Sequence, residues 1–123
     1  MVDSSVILAI EFGEPTAPEC AAALSRYDDL VMSTVNLAEV LIRVGDRRPD
    51  AVTSLVARLD RSGIRFEAPD VATSRVAAEA RLRYPLNLGD CFAYALAVAE
   101  ACPILALGRD FERTDRPVVV PGA

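Results

Sequence analysis

Residues Asp28–Asp46 read DDLVMSTVNLAEVLIRVGD, and two patterns meet inside that stretch. Leu30, Val31 and Met32 form a short apolar run without polar alternation, the pattern of a strand buried on both faces of a parallel sheet. A helical pattern begins at once after Ser33 and Thr34. Val35, Ala38, Leu41 and Ile42 fall on one stripe of that helix, with Glu39 beside the stripe about one turn from the helix start. Upstream, MVD followed by SSVILAIEF is the same strand-to-helix passage, with Asp3 or Ser4 placed to cap the helix. After the GEP break, TAPECAAALSRY carries a helical Ala/Leu pattern.

Downstream, DRRP ends the helix and DAVTSLVARLDRSG predicts another amphipathic one with a glycine stop. IRFEAP predicts a third strand and DVATSRVAAEARLRY a further helix. Past Pro85, Asn87 stands three residues before Asp90, a capping-box spacing with Asp in place of Glu. The helix it opens, NLGDCFAYALAVAEA, is apolar on almost every side. PILAL, GRDFERTD and PVVV follow as strand, turn and last strand. Strands alternating with helices imply an α/β domain whose parallel sheet is covered on both faces. The 123 residues contain no linker, repeat or low-complexity tract, so one domain over 1–123 is expected.

Composition narrows the chemistry. No apolar run reaches the roughly 20 residues needed to span a bilayer, and MVDSSVILAIEFGEP lacks the marks of a secretory signal, so a soluble, cytoplasmic chain with no membrane partner is expected. Cys20, Cys91 and Cys102 have no CxxC spacing and lie among apolar residues, which reads as buried reduced thiols. Histidine is absent, and all 13 basic residues are arginine. Ser-His triads, imidazole ligands, Schiff-base lysines and Walker-type phosphate lysines are therefore excluded. A net charge of −5 argues against nucleic-acid binding through a global basic field, though not against a local arginine groove.

Most of the 18 acids punctuate helix faces and turns. Four are placed differently. Asp3 follows the first strand, Glu39 lies one turn into the helix after the second, Asp90 opens the apolar helix, and Asp110 follows the fourth strand. Singly, each has an ordinary reading: Asp3 and Asp90 as caps worth about 1 kcal/mol, Glu39 as a partner of Arg43 at i+4, Asp110 as a turn residue. Together they suit one rim, because ligands of open parallel sheets bind outside the carboxyl ends of the strands. Carboxylates gathered there repel one another, and without Lys or His a hard divalent cation is the natural counter-charge.

The segments VDSSVILAI, TVNLAEVLIR, LNLGDCFAYALA and GRDFERTD, in this order and in a chain of this length, resemble a PIN-domain ribonuclease, most closely the VapC toxins of bacterial toxin–antitoxin pairs. LNLGDCFAYALA is the most specific of the four. The resemblance implies a sheet in the order 3-2-1-4-5 and a quartet of acids around Mg²⁺ or Mn²⁺, whose matching positions are Asp3, Glu39, Asp90 and Asp110. Related sequences often carry an acid or amide where this chain has Arg109, and Asp115 stands in reserve as the fourth ligand. It further implies RNA cleavage by metal-activated water leaving 5′-phosphate and 3′-hydroxyl ends, a cognate VapB-like antitoxin offering an arginine to the acids, and a homodimer.

Ser5 and Thr34 lie close enough in sequence to orient these acids, or serve as local caps. Arg109, Arg113 and Arg116 read equally as holders of RNA phosphates and as solvated turn charges. Two other acid-bearing α/β families fit poorly. A dehalogenase-type phosphatase needs a second Asp where this chain has Ser5, and a receiver domain needs a lysine. The alternative is a catalytically inactive PIN-like module that binds RNA or a partner protein.

Overall fold

The computed structural model describes residues 1–123. Met1 and Val2 are extended, and Asp3 turns the chain directly into α1 (Ser4–Glu11), its carboxylate accepting the Ser5 N–H at 3.1 Å. Next come α2 (Ala17–Arg26), with a proline in its first turn, and β1 (Val31–Ser33). Ser33 caps α3 (Thr34–Arg47) by accepting the Val35 N–H. A single 3₁₀ turn at Pro49–Ala51 leads into α4 (Val52–Asp60), and Gly63, at φ +81°, makes the left-handed turn into β2 (Arg65–Glu67). Asp70 caps α5 (Val71–Arg83), and Asn87 caps α6 (Leu88–Ala99). The short strands β3 (Ile104–Leu105) and β4 (Val118–Val119) complete the chain, with the GRDFERTD segment between them in turns.

The regular ladders are two parallel pairs. Val31, Met32 and Ser33 face Arg65, Phe66 and Glu67, while Ile104 and Leu105 face Val118 and Val119. The opening residues lie between the pairs: the Val2 N–H donates to Val31 O at 2.8 Å, the Asp3 N–H to Leu105 O at 2.9 Å, and the Leu105 N–H to Met1 O at 2.8 Å. The expected first strand is thus only an isolated bridge between Val2 and Leu105, and no continuous five-strand ladder forms. Asp3 is itself extended but caps α1, and the helix begins at the very next residue, Ser4, so the strand has no length in which to grow.

Successive residues point to opposite sides. Met1, Val31 and Ile104 join one apolar cluster with Ala77, Ala80 and Tyr94 of α5 and α6; Val2, Met32 and Leu105 join a second with Val6, Val40 and Leu55 of α1, α3 and α4. This period of two is the mark of strands buried on both faces, and it realises the expected α/β layering. Cys20 and Cys91 are buried and all three thiols are free, whereas Cys102 is only partly covered, unlike the expectation. No helix is long and apolar enough to cross a membrane.

The stripe expected on α3 is displaced. Asn36, Val40 and Val44 are its buried residues, while Ala38 is exposed and Ile42 is 62% exposed. The helix carries more apolar residues than one stripe can use, so two registers were available to it. The i, i+4, i+8 row holding Asn36 is the one that packs, and a polar residue within that row hides it from a hydrophobicity count.

Candidate active site

Three of the four acids singled out in the sequence, Asp3, Glu39 and Asp90, lie in or just before the opening turns of helices, and Asp110 lies in the turn segment after β3. Asp3 is 6% exposed and stands at the mouth of α1. Asp90 lies in the first turn of α6, where its N–H donates to Asn87 Oδ1 at 2.8 Å and its carboxylate accepts the Asn87 N–H at 3.3 Å. Glu39 lies in the second turn of α3. Helix N-termini carry partial positive charge, so this end of the fold offers the carboxylates some compensation from backbone dipoles. It offers no full charge: none of the molecule's ion pairs includes Asp3, Glu39, Asp90 or Asp110.

The electrostatic consequence falls on Asp90. Burial, joined by the like charges of Asp3, Asp110 and Glu39, pushes its carboxyl up to about 6, against a smaller opposing effect of the Asn87 N–H. Asp3 is raised as well, chiefly by burial and further by Glu39, while its bonds to Ser5 act the other way. The four acids of the sequence reading therefore share one electrostatic neighbourhood. Asp115 stands apart from it. The Tyr94 hydroxyl donates to Asp115 Oδ1 at 2.6 Å and accepts from Arg83 Nη2 at 3.2 Å, and these contacts hold Asp115 below the usual carboxylate range, the Tyr94 bond most of all.

Two residues that sequence reasoning missed shape the Glu39 end. Asn36, fully buried, donates through Nδ2 to Glu39 Oε1 at 2.7 Å and to Gly89 O at 3.1 Å, tying α3 to the first turn of α6. Its Oδ1 is buried without a hydrogen-bond partner. Ser4 Oγ adds a longer bond to Glu39 Oε1 at 3.4 Å. Gly89 makes room for this carboxylate, because a Cβ there would lie 2.2 Å from Glu39 Oε2. The available signal was an amide three residues before the acid on a helix that is otherwise apolar at that row. Ser5, expected near the acids, accepts the Leu107 N–H at 3.0 Å and pins the segment after β3 to the start of α1.

No three acidic or thiol side chains converge into a ready coordination cage. The donor set still suits a hard divalent cation, being all oxygen, partly desolvated and free of basic partners. Like charges without a counter-ion keep apart, and drawing them together is work a cation has to do. Beside Asp110, which is exposed, a polar depression is bounded by Pro85, Arg109, Glu112 and Arg113. Arg109 pairs with Glu112, while Arg113 makes no ion pair. A more enclosed apolar hollow, lined by Met1, Leu30, Pro103 and Leu105, lies at the opposite, amino ends of the strands.

A layered α/β fold with acids at the carboxyl rim and no basic partner for them defines a class of protein whose ligand site is anionic by construction. Residues 1–117 match the family model described as the PIN domain, and the chain belongs to that family. It is 40% identical over 124 residues to ribonuclease VapC42 of Mycobacterium tuberculosis, covering 94% of this chain and 95% of the relative. Among solved structures, Mycobacterium tuberculosis VapC20, described as a sarcin-ricin loop cleaving toxin, aligns with a TM-score of 0.81 at 16% identity over 94% of each chain. VapBC2 from Rickettsia felis, bound to a DNA fragment from their promoter, aligns with a TM-score of 0.73 at 16% identity over 98% of this chain and 96% of that one. These two likenesses speak to the fold.

Proposed function

We propose that this chain is a Mg²⁺- or Mn²⁺-dependent endoribonuclease that acts as the toxin of a VapBC-type toxin–antitoxin pair. The observation that carries the reading is Asp90, raised to about 6 by burial and by three further acids, with no basic residue paired to any of them. The ribonuclease name of the 40%-identical relative supports it. Asp3, Glu39, Asp90 and Asp110 would hold the ion, which when bound lowers the pKa of water and polarises a phosphoryl oxygen.

The chain's own residues supply placement. Asp3 is fixed by the Ser5 N–H, Glu39 by Asn36 and Ser4, and Asp90 by its reciprocal bonds with Asn87. Arg113, beside the Asp110 depression, is free to take an RNA phosphate, and Arg109 can do so on leaving Glu112. A VapB-like antitoxin would neutralise the same rim with an arginine, and a homodimer is the proposed assembly.

Purified protein should cut single-stranded or loop RNA in Mg²⁺ or Mn²⁺, stop in EDTA, and lose cleavage in Asp3→Asn and Asp90→Asn. Expression should arrest growth, and co-expressed antitoxin should relieve the arrest. The unconverged carboxylates and exposed Asp110 favour a second reading, a PIN-like module that binds RNA or a partner protein without cutting. RNA retained but uncleaved at saturating Mn²⁺ would establish that alternative.

A further inference from the structure

Asn36 occupies a position where a hydrocarbon would be the simpler choice. It is fully buried in the row that Val40 and Val44 continue, and its Oδ1 finds no donor. A packing role alone would be better met by Val or Leu, which leave no polar atom unsatisfied. The orientation of the amide is dictated by its surroundings. Both groups in reach, Glu39 Oε1 at 2.7 Å and Gly89 O at 3.1 Å, are acceptors, so Nδ2 must face them and Oδ1 must face away. The two donated bonds join the carboxylate of α3 to the backbone residue that immediately precedes Asp90 in α6.

The pair of contacts is closed from the other side by Gly89. The absence of a Cβ lets the Glu39 carboxylate settle against the first turn of α6, 2.2 Å from where that Cβ would stand. Asn36 and Gly89 thus act on the same group, one by attraction and the other by leaving space.

We propose that Asn36 is a positioning residue for the acid rim: by donating at once to Glu39 and to Gly89 O, it sets where the Glu39 carboxylate stands relative to Asp90 and so how readily the two share one divalent cation. The proposal rests on the metal-dependent reading above. Partners that orient a ligating side chain typically contribute 10–100-fold to metal affinity.

The test is a double-mutant cycle read by Mn²⁺ titration calorimetry, with one metal-free measurement beside it. Asn36→Leu should weaken Mn²⁺ binding by roughly 10-fold or more, with a melt in EDTA no lower than wild type. In a Glu39→Gln background the same substitution should add no further loss, because the group it acts through is gone. Asn36→Ala serves in the same cycle if leucine overfills the site. Loss of affinity that persists undiminished in Glu39→Gln, or Mn²⁺ binding unchanged in Asn36→Leu, overturns the proposal.

The metal-free arm follows the Asn36 side-chain amide by NMR in EDTA. Its protons should exchange slowly with water, and one should shift in Glu39→Gln. A rapidly exchanging amide indifferent to Glu39 overturns the positioning role whatever the metal does. Absence of Mn²⁺ binding by wild type, with the amide protected as described, overturns the metal reading and with it the part of this inference that concerns the cation.

Discussion

At Asp90 two demands fall on one carboxylate. It closes the capping box of α6 and also sits in the field of Asp3, Asp110 and Glu39. Asn caps a helix about as well as Asp, so a pure cap predicts a nearly neutral Asp90→Asn. A crowded carboxylate predicts otherwise. Its folded-state value of about 6 lies above the ordinary 3.8, so the ionised form is disfavoured by folding. The penalty is fully present above pH 6 and is relieved as pH falls through 6 toward 3.8. In EDTA at pH 7 Asp90→Asn should therefore be the more stable protein, by on the order of 1 kcal/mol once solvent screening of this half-buried group is allowed for, and the gap should close as pH falls to about 4. In saturating Mn²⁺ the order should reverse, because the wild type alone keeps the full donor set. Thermal melts of both proteins in both media measure this, and parallel curves would return Asp90 to plain capping. Gly89→Ala separates fold from site in a similar way. Alanine favours the helix by up to about 1 kcal/mol while its methyl displaces Glu39, so the EDTA melt should hold and Mn²⁺ affinity should fall roughly 10-fold.

The starts of α1 and α6 could be read from the chain because their signals are local, Asp3 and Asn87 capping the helices they precede, and Ser33 and Asp70 do the same for α3 and α5. The strand-end positions of Asp3 and Asp110 could be read for a related reason, since residues that follow parallel strands share a rim, whereas Asp90 follows a helix and comes into their field only through the tertiary fold. What the sequence concealed depends on contacts between elements. The buried row of α3 was hidden because an amide occupies it, and the value of Asn36 appears only once Gly89, 53 residues away, is brought against it. Asp115, the reserve to Asp110 in the sequence reading, accepts a hydrogen bond from Tyr94 of α6, a contact that no local pattern announces. That contact anchors the turn between β3 and β4 to α6, and it makes a prediction of its own. Tyr94→Phe should cost about 1 kcal/mol, the scale of one partly exposed hydrogen bond. Adding Asp115→Asn to that variant should cost almost nothing more, since the two groups act as a pair. Urea melts of the two single mutants and the double mutant give the coupling directly, and additive losses would show that the bond contributes nothing.

For the molecule as a whole, the separation of charge is the governing feature. Most arginine pairs lie away from the rim, as Arg58 with Glu11 and Arg65 with Asp29, Glu67 and Glu100; Arg109 beside Asp110 pairs with Glu112, and the four rim acids themselves are left without basic partners. The folded protein should therefore gain stability from any ligand that brings concentrated positive charge to that end. If the acids bind Mn²⁺, ion at about 100 times its dissociation constant should stabilise the fold by roughly 2.7 kcal/mol, on the order of 10 °C in melting temperature for a domain of this length. Screening alone makes a different forecast. Sodium chloride at matched ionic strength weakens repulsion among exposed charges yet reaches partly buried groups poorly, so it should move the melt much less. Binding also predicts that Mn²⁺ stabilisation depends on the particular acids: Asp3→Asn combined with Asp90→Asn should raise the melt in EDTA and remove most of the response to Mn²⁺. Melts of the wild type and the double variant across an Mn²⁺ series, each against its salt control, supply both numbers. A wild type that responds equally to manganese and to matched sodium chloride would mean that the rim repels without binding, and the fold would then be the scaffold of a non-cutting module.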